Sequence, residues 1–284
     1  MKRTCPLKPK PMKRATRRKK APAIQSRNQR CRSEACMYDL NGDIHGHAEP
    51  LKQLLETIGY RESSGIWSHP EQRQVIFLGD FVDRCPEQVE TVRIASAMVD
   101  AGTAPAVMGN HEFNAASWAT PDPERPGEHL CSHSDKHRRQ HQAYLDQVGE
   151  GSELHQQHIA WFKTLPLYLD LDGLRGVHAC WHPPSLGDLH PYLDANQRIL
   201  PHAWPDLARK GGAGFEALES LLKGLEVPLP TGYEFFDKDG NPRHHIRTQW
   251  WEVERLTYRD LAMVPAEAIN DIPHVPFPED VLPG

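Results

Sequence analysis

The 284-residue sequence predicts an α/β fold, and two patterns support this prediction. Short apolar segments alternate with amphipathic stretches of helical spacing, which is typical of strands alternating with helices around a buried sheet. Polar loops that contain glycine directly follow the first three apolar segments, as turns between strands and helices do. No segment approaches the roughly 18 uninterrupted apolar residues that a membrane-spanning helix needs, so we expect no membrane partner.

The apolar segments predict four strands, over residues 37–41, 75–78, 104–108 and 174–178. An amphipathic helix follows the first strand and ends at Gly59. Its predicted buried face consists of Leu51, Leu54, Leu55 and Ile58. A second helix begins at Pro86, where a missing N–H costs nothing, and continues to Gly102.

The formal net charge of −5 hides an uneven distribution along the chain. Residues 1–33 hold 13 of the 33 lysine and arginine residues and no acidic residue, whereas the other 251 residues hold 20 basic and 38 acidic residues. We expect a basic disordered leader over residues 1–36, because its few large apolar residues cannot form a core. A domain is expected over residues 37–284, with a helical insertion at 113–172 and an irregular insertion at 183–245.

The leader has several open interpretations: a nucleic-acid-binding arm, an organelle transit peptide, a stretch translated from the wrong start, or a solvated tail. The acidic domain would repel a phosphate backbone, so nucleic acid is an unlikely partner except through the leader. The six cysteines are scattered, with no Cys-x-x-Cys pair and no apolar signal sequence before them. This pattern favours a reducing cytoplasm over a disulfide scaffold.

Metal-binding side chains occupy the loops that follow the predicted strands. The loops are 42–46, 79–84 and 109–112, and the fourth strand ends at His178. Because the carboxyl ends of neighbouring parallel strands meet at one edge of a sheet, we expect these side chains to converge. The residue types suit two divalent metal ions, and carboxylate, imidazole and amide oxygen favour Mn, Fe, Zn or similar ions. The predicted ligands are Asp43, His45, Asp80, Asn110 and His178.

With Gly-Asp-Phe-Val-Asp-Arg at 79–84 and Gly-Asn-His-Glu at 109–112, the sequence resembles the calcineurin-like metallophosphoesterases. These motifs are most similar to the branch that holds phosphoprotein phosphatases and symmetrical diadenosine tetraphosphate hydrolases, and the stretch 177–183 resembles a bacterial subgroup of the family. The resemblance covers residues 37–182 through specific motifs and residues 183–284 only loosely. It implies a sandwich of two mixed sheets flanked by helices.

The resemblance also implies a role for each matching residue. The ligands would divide into a first ion on Asp43 and His45, a bridge at Asp80, and a second ion on Asn110 and His178. Mn is the preferred metal, with Fe, Zn, Ni or Co as alternatives, and a hydroxide that bridges the ions would be the nucleophile.

Further roles concern the substrate. His111 would be the general acid, held by Asp83, and Arg84 would bind the phosphate through its planar fork. Asn110 is expected to contact the phosphate as well. Arg247, in a later strand-like stretch, is a candidate for a second phosphate contact.

Two features depart from the family pattern. Cys85 stands where the family usually has glycine, and it would strain the loop if that position required a positive φ. No histidine after His178 follows a glycine, so the expected last ligand is missing, the second sheet looks incomplete and the chain looks C-terminally truncated. His244 and His245 could replace that ligand, but we expect both to be structural or surface residues. The histidines within 129–158 are expected on a solvated helical face.

The sequence therefore predicts a two-metal-dependent hydrolase of phosphate esters or anhydrides, located in the cytoplasm. Its substrate would be a phosphoprotein or a phosphorylated small molecule such as a dinucleotide polyphosphate, which the motifs do not distinguish because they build the shared phosphate site. The alternative is a truncated, non-catalytic remnant that binds one metal ion or a partner without turnover. The oligomeric state is left open.

Overall fold

The computed structural model describes residues 37–237, 240–252, 254 and 257–278. The predictions for the basic leader fall outside these residues. Nine α-helices occur in the described part: α1 Ala48–Thr57, α2 Gln88–Asp100, α3 Asn110–Ala119, α4 Asp135–Val148, α5 Glu153–Phe162, α6 Pro183–Leu189, α7 Trp204–Ala208, α8 Ala213–Lys223 and α9 Tyr258–Leu261. Short 3₁₀ helices lie at His190–Tyr192 and Ala266–Asp271.

Eleven strands accompany these helices in the same described residues. They are β1 Tyr38–Asn41, β2 Arg61–Ser63, β3 Ile66–Ser68, β4 Gln74–Phe77, β5 Tyr168–Leu171, β6 Leu174–Val177, β7 Glu226–Pro228, β8 Phe235–Phe236, β9 Pro242–Arg243, β10 His245–Thr248 and β11 Ala262–Met263. Pairs β2–β3, β5–β6 and β8–β9 are antiparallel hairpins.

A parallel pair, β1 and β4, forms the part of the fold that positions the site. The register runs from Tyr38 opposite Gln74 to Asn41 opposite Phe77. Residues 104–108 extend this arrangement, because the Phe77 N–H donates to the Pro105 carbonyl at 3.0 Å. The bridge between Phe77 and Ala106 is parallel. Three chain segments therefore reach the same edge, as predicted, although the third is a single bridge and not a full strand.

The fourth predicted strand has a different partner from the one expected. β6 pairs antiparallel with β5 and takes no place in the parallel pair. His178 follows β6 directly, and its Nδ1 contacts the carbonyl oxygen of Leu78, just beyond β4, at 2.6 Å. His178 therefore lies at the same edge as the other candidate ligands, but it follows an antiparallel hairpin and not a parallel strand.

Helices α1 and α2 pack against each other and share one apolar core with the parallel pair. Leu51 and Leu55 of α1 are buried, whereas Leu54 is 40% exposed, so the apolar face of this helix is narrower than predicted. The backbone at Gly59 has φ +97°, which only glycine adopts easily, and the helix ends just before it.

Helices α4 and α5 correct the expectation of a solvated histidine face. His141, Tyr144, Leu145 and Val148 are the buried residues of α4, with the i, i+3, i+4, i+7 spacing of a core-facing stripe. His155 and His158 on α5 are buried as well. The prediction was wrong for these three histidines because polar neighbours on the outer face masked the buried stripe.

The C-terminal part contains more regular structure than the irregular insertion expected over 183–245. Helices α6, α7 and α8 lie within that range, followed by a three-stranded antiparallel sheet in the order β11-β10-β7. A separate apolar cluster covers this sheet, with Ile246, Leu261 and Ile272 fully buried. The predicted α/β fold class is confirmed: in the described residues β1 and β4 form a parallel pair, and the β11-β10-β7 sheet and the three hairpins are antiparallel. Among the described residues, no helix combines the length and apolar character needed to cross a membrane.

Candidate metal centre

Backbone hydrogen bonds join the loops that follow β1 and β4. The N–H groups of Ile44 and His45 both donate to the Asp80 carbonyl oxygen, at 2.9 and 2.8 Å. The Gly46 N–H donates to the Phe81 carbonyl oxygen at 2.8 Å. These bonds fix the side chains of the two loops relative to each other before any ligand binds.

Asp80 lies in the middle of the histidines that these loops present. Its Oδ2 is 3.7 Å from His45 Nε2, 3.5 Å from His178 Nε2 and 3.8 Å from His111 Nε2. Asp80 is buried and adopts φ +54°, an uncommon conformation for a non-glycine residue that is often found at functional sites. Three imidazole nitrogens therefore surround one carboxylate oxygen.

The histidine rings are oriented as metal ligands are. The Nδ1 of His45 lies 2.9 Å from the Val82 carbonyl oxygen, and the Nδ1 of His178 lies 2.6 Å from that of Leu78. A carbonyl can only accept, so each Nδ1 carries the proton and each Nε2 keeps its lone pair for a ligand.

The outer ligands complete the group. Asp43 Oδ2 is 3.5 Å from His45 Nε2, and Asn110 Oδ1 is 3.2 Å from His178 Nε2. The ligand atoms of Asp43, Asp80 and His178 all lie within 4.8 Å of one another, as do those of His45, Asp80 and His111. The structure thus brings all five predicted ligands together.

A buried atom without a partner supports metal binding at this place. Among the described residues, His45 Nε2 is buried and has no hydrogen-bond partner. A buried nitrogen lone pair facing two carboxylates is unfavourable unless a proton or a cation lies between them. The donor set of oxygen and imidazole nitrogen suits divalent transition metals, so the residues fit the implied ions.

The charges around Asp43 and His45 shift both pKa values. The close approach of His45, whose Nε2 lies 3.5 Å from Asp43 Oδ2, lowers the pKa of Asp43 and outweighs the opposing effect of burial. Burial alone would lower the pKa of His45, but Asp43, the Val82 carbonyl and Asp80 together raise it. A negative potential at His45 Nε2 attracts a proton or a metal ion alike.

His111 and Asp83 form a close pair beside the ligands. His111 Nδ1 is 2.5 Å from Asp83 Oδ2, and the Asp83 side chain is fully buried. Burial opposes ionisation of Asp83, yet the hydrogen bond with His111 and the close approach of His141 leave its pKa below the ordinary value. His111 therefore has Nδ1 occupied by a carboxylate and Nε2 directed toward Asp80.

Sequence reasoning missed His141, whose Nδ1 lies 2.8 Å from Asp83 Oδ2. The sequence signal that could have identified His141 is its position in the buried apolar stripe of α4. Sequence reasoning also gave no role to Glu112, which is fully buried and accepts the N–H groups of Asp80, Phe81 and Gly109. Burial, and then the charge of Asp80, raise the pKa of Glu112, whereas the three backbone N–H groups favour its carboxylate form.

The two predicted phosphate-binding arginines have different positions. Arg84 is exposed, has no ion-pair partner among the described residues, and influences the pKa values of Asp43 and His45. Arg247 is not brought to the site. Its guanidinium lies 3.3 Å from Glu226, and it lines a separate cavity of about 480 Å³. The prediction for Arg247 is corrected because β10 belongs to the antiparallel sheet, away from the loops of the metal centre.

The two histidines that line the same cavity as Arg247 do not replace the last metal ligand that the family pattern leads one to expect. His244 and His245 line that cavity with Arg247, and both are exposed. In the described part of the chain, the histidines grouped with Asp80 are His45, His111 and His178.

The expected strain at Cys85 is absent. Positive φ angles occur at Asp83, +72°, and Arg84, +73°, and not at Cys85. The loop turns one position earlier than the glycine pattern suggested, so a cysteine is accommodated. Its Sγ lies 2.9 Å from His47 Nε2.

Comparisons with known proteins agree with this geometry. The family model described as calcineurin-like phosphoesterase matches residues 40–206, more than half of the chain. Curated relatives include the bis(5'-nucleosyl)-tetraphosphatase PrpE (asymmetrical) of Halalkalibacterium halodurans, 40% identical over 74 residues, and that of Bacillus subtilis, 35% identical over 74 residues. Both are described as asymmetrical, whereas the motifs were compared above with symmetrical hydrolases.

These matches are partial. Each covers 26% of this chain and 30% of the relative, so the matched stretch spans less than a third of the relative's length. Among solved structures, the cold-active protein-tyrosine phosphatase of a Shewanella species is 15% identical with a TM-score of 0.35, over 65% of this chain and 53% of that chain. The family model, by contrast, spans all three motif loops whose side chains meet at Asp80. The chain therefore belongs to the calcineurin-like phosphoesterase family.

Proposed function

We propose that this chain hydrolyses phosphate ester or anhydride bonds with the help of two divalent metal ions. The observation that supports this function best is the convergence of Asp43, His45, Asp80, Asn110 and His178, contributed by separate loops. A histidine–carboxylate pair lies directly beside this group. The combination provides metal ligands and a proton donor at one place, which phosphoester hydrolysis requires.

The ligands divide into two sets that share Asp80. Asp43 and His45 would hold one ion, and Asn110 and His178 the other, with Mn preferred and Fe, Zn, Ni or Co as alternatives. When bound, such ions make water nucleophilic near neutral pH and neutralise charge on the phosphoryl oxygens.

The remaining residues act on the substrate directly. His111 donates a proton from Nε2 to the leaving oxygen, while Asp83 holds the ring through Nδ1. The exposed guanidinium of Arg84 binds two phosphoryl oxygens in a planar fork, and Asn110 adds a contact from its side-chain amide. A planar fork also orients the phosphate relative to His111, which a point charge cannot do.

A cavity beside His111 favours an anionic leaving group. It has a volume of about 670 Å³, within the usual range for a small-molecule site. Lys136 and Lys210 line it and have no ion-pair partner among the described residues. The curated relatives are named as nucleoside tetraphosphatases. Of the two substrate classes predicted from the sequence, these cations favour a nucleotide polyphosphate over a phosphoprotein.

The test combines metal content with turnover. Metal-free protein is reconstituted with Mn²⁺, the ions per chain are counted, and hydrolysis of p-nitrophenyl phosphate and of diadenosine tetraphosphate is measured. We expect two ions and metal-dependent turnover, both lost in Asp80→Asn and retained in Asp146→Asn, an exposed aspartate of α4. One ion or none, without turnover, would instead support the non-catalytic alternative.

The substrate class has its own test. Lys136→Ala combined with Lys210→Ala should raise KM for diadenosine tetraphosphate and leave KM for p-nitrophenyl phosphate unchanged, because the smaller substrate has no further phosphate groups for the two lysines to bind. Arg61→Ala removes an exposed cation from β2 and serves as the control. Equal effects on both substrates would contradict a role for the cavity.

The state of the described cysteines concerns the cellular compartment in which the protein acts. Cys85, Cys131 and Cys180 are free thiols. Free thiols are typical of reducing compartments, which supports the proposed cytoplasmic location.

A further inference from the structure

We propose that His141 is a positioning residue for the general acid, because its Nδ1 fixes the Asp83 carboxylate that orients His111. This inference rests on the proposed function, in which His111 protonates the leaving group. His141 belongs to α4, outside the loops that supply the metal ligands. The site therefore depends on a helix that none of its sequence motifs includes.

One carboxylate oxygen of Asp83 contacts two histidines. Oδ2 is 2.5 Å from His111 Nδ1 and 2.8 Å from His141 Nδ1. The other oxygen, Oδ1, is buried and has no hydrogen-bond partner among the described residues. A carboxylate held only through one oxygen can rotate about its terminal torsion, which has a broad energy profile. The second histidine is what restricts that rotation.

Burial makes this contact strong. The side chains of Asp83 and His141 are 0% and 4% exposed. A buried carboxylate needs hydrogen-bond donors, and no lysine or arginine lies within ion-pair distance of Asp83 in the described residues. Of the two imidazoles beside Asp83, His111 is hydrogen-bonded to it, whereas His141 Nδ1 lies within ion-pair distance at 2.8 Å without hydrogen-bond geometry. Removal of His141 would therefore leave His111 as the remaining imidazole beside this carboxylate in the described residues.

A chain of two hydrogen bonds also connects helix α4 to the backbone of Asp83. Gln147 Oε1 accepts the backbone N–H of Gln88 at 2.9 Å, and Gln88 Oε1 accepts the backbone N–H of Asp83 at 2.7 Å. His141 thus fixes the carboxylate while Gln147 acts on the backbone through Gln88. Asp83 has φ +72°, an unfavourable conformation that surrounding contacts must maintain.

Another buried histidine provides a matched control. His158 on α5 is 7% exposed, close to the 3% of His141. Its ring packs against Tyr144 and Phe162, and it makes no contact with Asp83. Substitution of His158 therefore tests the cost of losing a buried imidazole without disturbing the pair of His111 and Asp83.

The experiment compares His141→Phe, His141→Asn and His158→Phe in the metal-loaded full chain. Phenylalanine keeps a ring but has no donor, whereas the asparagine amide nitrogen occupies nearly the position of Nδ1. kcat and KM are measured for phenyl phosphate, a poor leaving group that needs a proton, and for 2,4-dinitrophenyl phosphate, a good one that does not. Metal content and Tm are measured for each variant.

We expect His141→Phe to lower kcat for phenyl phosphate by about tenfold, a part of the usual general-acid contribution. KM, metal content and kcat for 2,4-dinitrophenyl phosphate should stay near the wild-type values. His141→Asn should recover most of the loss, and His158→Phe should show no difference between the two substrates. Equal losses on both substrates, no loss at all, or failure of asparagine to exceed phenylalanine would overturn the inference.

A second measurement is independent of turnover. The proton on His111 Nδ1 should give a downfield ¹H–¹⁵N signal, assigned by its loss in His111→Asn. His141→Phe should shift or broaden that signal, and His158→Phe should not. An unchanged signal in His141→Phe would overturn the positioning role even in a protein without turnover. Absence of metal-dependent turnover in the wild type, with the signal behaving as expected, would overturn only the proposed function.

Discussion

Glu112 Oε2 accepts the backbone N–H of Asp80 at 2.8 Å, so a fully buried carboxylate holds the central residue of the metal centre in place. The same oxygen accepts the Gly109 N–H at 3.0 Å, and Oε1 accepts the Phe81 N–H at 2.8 Å. Glu112 thereby joins the loop after β4 to the start of α3, where Asn110 and His111 begin. It binds no substrate in the proposed mechanism, yet it determines where three site residues lie.

Substitution of Glu112 should destabilise the protein in a graded way. Glu112→Ala leaves three buried N–H groups without an acceptor and should lower the free energy of unfolding by about 3 kcal/mol or more. Glu112→Gln keeps one oxygen, which can still accept two of the three bonds, and should cost about 1 to 2 kcal/mol. Urea unfolding of the metal-free proteins measures both values.

Glu128 provides the control for these variants. It is exposed and pairs with Arg125 at 3.6 Å, so Glu128→Gln should change stability by less than about 0.5 kcal/mol. If Glu112→Ala is no less stable than Glu112→Gln, the three hydrogen bonds do not hold the loops as described.

His111 could act as an acid or as a ligand, and one variant distinguishes the two roles. Its Nε2 is 3.8 Å from Asp80 Oδ2 and groups with the ligand atoms of His45 and Asp80. If it is the general acid, His111→Asn should keep two metal ions per chain. The variant should then lose about 10² in kcat for phenyl phosphate and far less for 2,4-dinitrophenyl phosphate.

Metal analysis of His111→Asn decides between these roles. A fall to one ion or none, with equal loss on both substrates, would assign His111 to metal binding. His47→Asn is a suitable comparison, because His47 is exposed and absent from the group of ligand atoms around Asp80.

Gly79 is required by both its conformation and its neighbours. Its φ is +93°, and a Cβ at this position would collide with the backbone nitrogen of Gly109. Gly173 has a similar φ of +76° but open space around it. Gly173→Ala should therefore cost about 1 kcal/mol for the backbone strain alone, and Gly79→Ala about 3 kcal/mol from strain plus the clash.

Both glycine variants are compared by thermal and urea unfolding. Gly79→Ala should also lower metal content, because the collision pushes apart the loops that contain Asp80 and Asn110. Equal destabilisation by the two alanines would show that the loops move aside freely, against the tight approach seen here.

The convergence of the candidate ligands was predictable because each follows a predicted strand directly, and strand ends in a parallel arrangement share an edge. His178 shows the limit of this argument. It reaches the site from a hairpin, and only the Leu78 carbonyl reveals how its ring is oriented. The family matches the sequence-based expectation. The partner of β6 is its neighbour in sequence, β5, and the Asp172-Gly173 turn between them is a local hairpin signal that the assignment of a fourth parallel strand did not use.

His141, which the sequence analysis missed, and Arg247, which it assigned wrongly, show where prediction of the site from the sequence failed. Both are polar residues on regular elements, and helical or strand spacing alone does not say which neighbour an element packs against. α4 happens to face the Asp83 loop, whereas β10 joins the antiparallel sheet with Glu226 as the partner of Arg247. A buried polar residue on an apolar stripe was the available clue, and it marks His141 but not Arg247.

The buried His158 should make stability depend on pH in the mildly acidic range. Burial, and then the neighbouring His155, lower the pKa of His158 to about 4. Between this value and the ordinary value of 6.5, the unfolded chain binds a proton that the folded chain excludes. The contribution of His158 is therefore complete above pH 6.5 and is lost as the pH falls toward 4, by up to about 3 kcal/mol.

His158→Phe removes this titration and should flatten the decline in unfolding free energy between pH 7 and pH 5. The relevant quantity is the difference between the two slopes, because other buried groups, His155 among them, titrate in both proteins. His202→Gln changes an exposed histidine and should leave the slope of the wild type unchanged. Stability is linked to pH only if the His158 imidazole must stay neutral in the folded state. Parallel pH profiles for the wild type and His158→Phe would therefore mean that His158 accepts a proton in the folded protein without loss of packing.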